Sequence, residues 1–291
     1  MKLVTYNIHF GKGKDDRFDL PRIADEVRGA DVISLQEVER NWRRSGMSDQ
    51  VAQLATLLPD YYWIYGAGLD VDASTTEPNG HIINRRRQFG NMILSRYPIL
   101  SSRNHMLPKW GTVEQFSLQR NALEGVVALA SGPVKFYTLH LHHIASSLRM
   151  EQMEALLQVI DQAPRSGGVW CGGQVDPAKG WTDEPAPPMP RETIILGDLN
   201  FTSEAAEYER TIGPYDAKQG RLVNVAGLAD AWVAAGHEET DGGTVFSADG
   251  QSKRLDYCLL SAWLAPKVRS AHVDLEAQGS NHQPLHIEIE L

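Results

Sequence analysis

The stretch Thr193-Ile194-Ile195-Leu196-Gly197-Asp198-Leu199-Asn200 is an apolar run that ends on two polar residues. The aliphatic residues read as a buried strand, because a strand covered on both faces shows no polar alternation. A plain sheet has no need of Asp198 and Asn200 at its end. The pattern recurs: Leu3 to Tyr6 ends at Asn7, Val32 to Leu35 leads to Glu37, and Phe136 to Leu139 ends at His140. Two further polar positions come late, Asp256 in Arg254-Leu255-Asp256-Tyr257 and His282 in Ser280-Asn281-His282-Gln283-Pro284. Singly, each has a plainer reading: a turn residue, a helix-start charge or a satisfied core histidine. Together, if the strand ends converge, they gather carboxylates, amides and two imidazoles at one spot.

Working outward, further β-type runs lie at Asn91 to Leu94, Gly125 to Leu129, Leu255 to Leu260 and Leu285 to Ile289. The last alternates apolar and polar residues, as suits a strand with one face in a core and the other toward solvent. Helical signals are fewer. Met153, Leu156, Leu157 and Ile160 fall at i, i+3, i+4, i+7 in a helix from Ser146 to about Gln162, with Ser146 or Ser147 as its cap. Asp19 and Pro21 open a helix through Val27, and Ser48 caps a third that ends before Pro59. Strands outnumber helices and no dinucleotide-type βαβ repeat occurs, so the expected class is α/β (α+β), two packed, mainly antiparallel sheets flanked by helices. A Gly- and Pro-rich insertion at about 164–192 exceeds ordinary loop length, and its Trp170 and Trp181 suit either a lid or local packing.

The chain has 291 residues, 42% hydrophobic and 22% charged, which excludes disorder, collagen and coiled coil and fits one domain over 1–291. Its 37 acidic and 28 basic residues give a net charge of −9, so the whole should repel a polyanion and any nucleic-acid role needs a local basic patch. Cys171 and Cys258 are too few for a disulfide framework and suit a reducing compartment. With no transmembrane-length apolar run and no secretory signal before the first strand, the expected location is cytoplasmic.

The series Thr5-Tyr6-Asn7, Leu35-Gln36-Glu37, Gly90 to Ser95, Leu139-His140-Leu141, Gly197 to Asn200, Arg254 to Tyr257 and Ser280 to Pro284 resembles the endonuclease/exonuclease/phosphatase superfamily, from Leu3 to Ile289. The resemblance implies a four-layer α/β sandwich and a metal-dependent phosphoesterase. It implies Glu37, Asn7 and Asn281 as ligands of Mg²⁺, with Mn²⁺ as a substitute. It implies Asp198 as the residue that activates water, Asn200 as its orienter, and His282 with Asp256 and His140 around the phosphate. The family usually carries Asp where this chain has Asn281; Asn keeps an oxygen but loses a charge, which weakens metal affinity there and leaves open a phospho-ligand-binding protein of reduced activity.

Specificity is thinner. Arg120 matches a family arginine near the site, Asn91 stands in the Gly90-Asn91 strand, and Arg44 and Arg87 belong to arginine clusters that suit either a cleft rim gripping a substrate or solvated surface. The expected substrates, in order, are a small or lipid-derived phosphodiester, a nucleic acid and a phosphomonoester.

Overall fold

The computed structural model describes residues 1–173, 177–180, 184–247 and 249–291. Two six-stranded sheets carry the fold. The first runs, in spatial order, Val268–Val273, Leu285–Ile289, Lys2–Asn7, Val32–Arg40, Arg86–Ser95 and Tyr62–Asp72. The second runs Leu228–Asp230, Asp256–Ser261, Thr193–Asp198, Gly132–His140, Asn121–Leu129 and Ile99–Met106. Each sheet is antiparallel except for one central pair: Lys2–Asn7 lies parallel to Val32–Arg40, and Gly132–His140 parallel to Thr193–Asp198.

Neighbouring residues on these strands feed different cores, which explains their unbroken apolar runs. Leu3, Val32, Ile93 and Ile194 meet Leu123, Phe136, Leu260 and Ile287 between the sheets. Val4, Ile33 and Leu94, each next to one of these, pack outward on Ile23, Val27 and Leu54 of the helices α1 (Leu20–Val27) and α2 (Gln50–Leu57). Ile195, Leu139 and Tyr257 pack outward on Met153 and Leu156 of α3 (Ser146–Ser166) and on Tyr208 and Ile212 of α4 (Ala206–Ile212). Three apolar interfaces separate four layers, the sandwich expected.

The helix starts differ in detail. The Asp19 carboxylate caps α1 by accepting from Arg22 N, with Pro21 in the first turn. For α2 the cap is Asp49, accepting from Ala52 N at 3.1 Å, not Ser48. Neither serine caps α3: both lie inside its first turn and Ala145 precedes it, while the helix continues through Pro164 to close with Gly167 N on Ala163 O. The helix thus runs past Gln162 to Ser166, and the insertion begins after it rather than at about 164. Its described parts dock on the outer face of the second sheet, where Arg103 donates to Gly167 O and the Lys135 ammonium to Pro190 O. Trp181 lies outside the described residues.

Candidate active site

The site forms where ends of both sheets meet. In the second sheet Asp198 is flanked in register by His140 on one side and Asp256 on the other. Gly197 is required just before it, since a Cβ there would sit 2.0 Å from Leu139 O. The first sheet contributes Asn7 at a strand end and Glu37 at an irregularity between Leu35 and Val38, where the backbone turns left-handed at φ 61°. Such a bulge re-aims one side chain out of the ladder, here into the cleft. Ser280 Oγ donates to Asn7 O at 2.6 Å, tying the loop that carries His282 to the first strand.

Asp198 is the hub. Its Oδ2 accepts from Asn7 Nδ2 at 2.9 Å and lies 3.3 Å from His140 Nε2 and 3.7 Å from His282 Nε2, while Oδ1 accepts from Asn200 N at 3.0 Å. His282 Nδ1 is 2.7 Å from Asp256 Oδ2, so the ring's other nitrogen faces Asp198 and the cleft. Asn7 Nδ2 also reaches Glu37 Oε1 at 3.3 Å, and its Oδ1 accepts from His9 N at 3.0 Å. Asn7, Glu37, His140, His143, Asp198, Asn200 and His282 line a cavity of about 270 Å³. Arg120 lines it too, buried, with Nε and Nη1 lacking any hydrogen-bond partner among the described residues.

Burial shapes the electrostatics. It raises the Asp198 carboxyl to about 7, against the opposing pull of His282 and the hydrogen bond from Asn7. Burial alone would lower His282, but the Asp256 and Asp198 carboxylates outweigh it and lift the imidazole to about 9. His140, enclosed and beside Arg120 and His282, is held well below the ordinary histidine range and is neutral. A neutral ring, a charged ring and a carboxyl near neutrality thus share one cavity.

The donor chemistry fits a hard divalent cation at Glu37. Its carboxylate is 17% exposed, opens on the cavity and has His140 Nδ1 at 3.7 Å as its basic neighbour. Asn7 is oriented as a donor to both carboxylates, which makes it the positioner of Glu37. Asp198, Asp256 and His282 also bring ligand atoms within 4.8 Å of one another. In that group His282 Nδ1 and Asp256 Oδ2 are already joined at 2.7 Å, while Asp256 Oδ1 is buried with no hydrogen-bond partner among the described residues.

Other expected residues lie farther out. Asn281 is exposed, with Ser280 Oγ at 3.4 Å, and does not border the cavity. Asn91 is buried behind the site, donating to Asn121 O and Oδ1. Arg44 borders the cavity but is bonded to the buried Glu39 carboxylate at 2.7 and 3.0 Å. Arg87 does not border it and donates to Asn41 O; nor does Trp170. Sequence reading missed an apolar wall, Trp42, Leu69, Phe89, Phe116 and Leu118, because scattered apolar residues carry no local signal of a shared surface.

A four-layer sandwich with carboxylates, amides and imidazoles at one end of its paired sheets defines a class of phosphoester-processing folds. The chain belongs to the endonuclease/exonuclease/phosphatase family, whose profile matches residues 4–282 and whose members are hydrolases acting on phosphoester bonds. Among solved structures, an endonuclease/exonuclease/phosphatase from Beutenbergia cavernae is similar at 22% identity and TM-score 0.65, covering 100% of this chain and 71% of that one. Mannosyl-6-phosphatase Bt3783 of Bacteroides thetaiotaomicron is similar at 17% identity and TM-score 0.63, with 100% of each chain covered. D. rerio TDP2 complexed with a single-strand DNA product is similar at 18% identity and TM-score 0.63, covering 100% and 99%. No curated protein sequence matches the chain. No helix among the described residues is long and apolar enough to cross a membrane.

Proposed function

We propose that the protein hydrolyses a phosphodiester carrying a small or lipid-derived group, by in-line attack of an activated water. The observation that carries this reading is Asp198, buried yet raised to about 7, at the meeting point of Asn7, His140, Asn200 and the His282–Asp256 pair. A carboxylate of that basicity suits removal of a proton from water near neutral pH. Asn200 N holds the carboxylate still, and Asn200 itself stands at φ 53°, a backbone cost that suits a residue placed for chemistry. Protonated His282, fixed by Asp256, donates to a phosphoryl oxygen as negative charge accumulates there, and His140 and the buried Arg120 guanidinium meet the remaining oxygens.

Glu37, positioned by Asn7, would hold Mg²⁺ or Mn²⁺, and a cation bound there supplies positive charge to the phosphoryl and leaving oxygens. Asn281 is exposed and does not border the cavity, so the charge it lacks is not lost from the described lining. That weakens the case for a merely phosphate-binding protein. The related structures, a sugar phosphatase and a DNA-bound enzyme by their names, support phosphoester chemistry and leave the substrate to this chain's own wall and rim.

The test is hydrolysis of bis(p-nitrophenyl) phosphate beside its monoester, with Mg²⁺, Mn²⁺ or EDTA. Metal-dependent cleavage with diester preferred, and turnover lowered about 10³-fold in Asp198→Ala and in His282→Ala, is expected. Near-normal turnover in either variant sinks the assignment.

A further inference from the structure

The cavity has two unlike halves. One is the polar group of Asp198, His140, His282 and Arg120; the other is the apolar wall. The wall is built on a firm platform. Leu69 and Phe89 are cross-strand partners in the first sheet, and Phe89 is in register with Glu39 on the next strand. Trp42 spends its indole N–H on Gln88 O at 2.8 Å, and its ring carries the guanidiniums of Arg44 at 4.7 Å and Arg87 at 5.7 Å beside the apolar lining. Phe116 and Leu118, on the segment before Arg120, face them, and Phe116 is 68% exposed.

Part of the charge around this wall is held by acidic partners. Arg44, over the Phe10 ring at 4.0 Å, is bonded to Glu39. Arg40 is paired with Asp49 at 2.6 Å and Arg86 with Asp70 at 2.8 Å, and the Arg87 guanidinium donates to Asn41 O. Arg120 is thus the one arginine of the described lining with buried donors unmet, enough for a single phosphate. At about 270 Å³ the cavity falls just below the roughly 300–1,000 Å³ usual for drug-sized ligands. That leaves room for a phosphoryl group and one ring-sized neighbour.

We infer that the site takes a phosphate ester whose organic group is a single apolar ring, held against the Leu69–Phe89 pair, Trp42, Phe116 and Leu118. This rests on the phosphoesterase reading and narrows it to esters whose organic group is apolar. An aromatic wall also favours flat rings over flexible chains, through offset or edge-on ring contacts.

The experiment is calorimetric titration with phenylphosphonate and methylphosphonate in the presence of Mg²⁺, neither of which is turned over as an ester. Phenylphosphonate is expected to bind roughly tenfold or more tightly than methylphosphonate, from removal of the ring from water. In Phe116→Ala, at an exposed position that leaves folding intact, the ratio should fall at least threefold; Phe89→Leu, which keeps an apolar residue in the strand pair, should lower it as well. Equal affinities for the two phosphonates overturn this inference while leaving the phosphoesterase reading standing. Failure of both to bind overturns the inference, while the phosphoesterase reading is decided separately by the diester hydrolysis assay.

Discussion

At the scale of single residues, the site depends on one carboxylate positioning one imidazole. Asp256 is fully buried and spends Oδ2 on His282 Nδ1, so its effect on chemistry passes through His282. In the native protein His282 stays protonated until the pH approaches about 9. In Asp256→Asn, burial opposes the charged ring with less compensation, so its pKa falls. The alkaline limb of the kcat/KM profile should therefore move to lower pH, alongside a drop in turnover. A limb that does not move would mean His282 is not the titrating donor. These residues were legible in the sequence because each interrupts or ends an apolar strand where packing alone asks for nothing polar. The Asn7 amide orientation was not legible, since it is set by a backbone N–H at His9 that only the turn after the first strand brings within reach.

Among elements, the loop that carries His282 is held from behind by α1. Glu26 Oε1 accepts from Gln278 N at 2.7 Å and Gly279 N at 2.9 Å, while Oε2 accepts from Tyr6 OH at 2.8 Å. Glu26→Ala removes all three bonds. It should cost about 2 kcal/mol of stability, measured by urea unfolding, and lower kcat more than it raises KM. Unchanged kcat would show that the loop holds His282 without help. The strands and α1 could be read from hydrophobic pattern and cap residues, whereas the start of α2 was misread by one residue because Ser48 and Asp49 are both good caps. Asp49 wins with a carboxylate that also pairs with Arg40 at 2.6 Å. The arginine clusters illustrate the opposite limit: sequence shows their charge, and only the fold shows that Glu39, Asp49 and Asp70 pair with Arg44, Arg40 and Arg86.

For the whole molecule, acid should loosen the edge of the first sheet. His286 stacks on His272 at 4.8 Å in the pair of strands at that sheet's edge, and burial pushes it down to about 4, with His272 and Lys2 adding to the effect and Asp274 opposing it. The unfolded chain takes up a proton at this position below about pH 6.5, while the folded chain resists until about 4. Stability contributed here therefore falls as pH drops through that window. Urea midpoints measured from pH 7 to 4.5 should decline, and His286→Gln should make the decline shallower; parallel curves would assign the acid sensitivity elsewhere. The four-layer order was legible because the strands are apolar on both faces. The pairing of strand ends across two sheets was not, since no local pattern records which sheet a strand joins.

That pairing gives the middle core a second task. Glu37 and Asn7 stand on one sheet, Asp198, His140 and Asp256 on the other, and no backbone ladder joins the two sets. Near the site the sheets are stitched by Ser34 Oγ and Gln36 Nε2, which donate to Thr138 Oγ1 at 2.5 and 2.9 Å. Elsewhere their separation is fixed by the volumes of residues such as Leu196, Phe136 and Leu123. The interior thus acts as a spacer gauge for the reaction. A methylene added far from the cleft thickens the gauge, and a misfit of about 1 Å between reacting groups can cost about a hundredfold in rate.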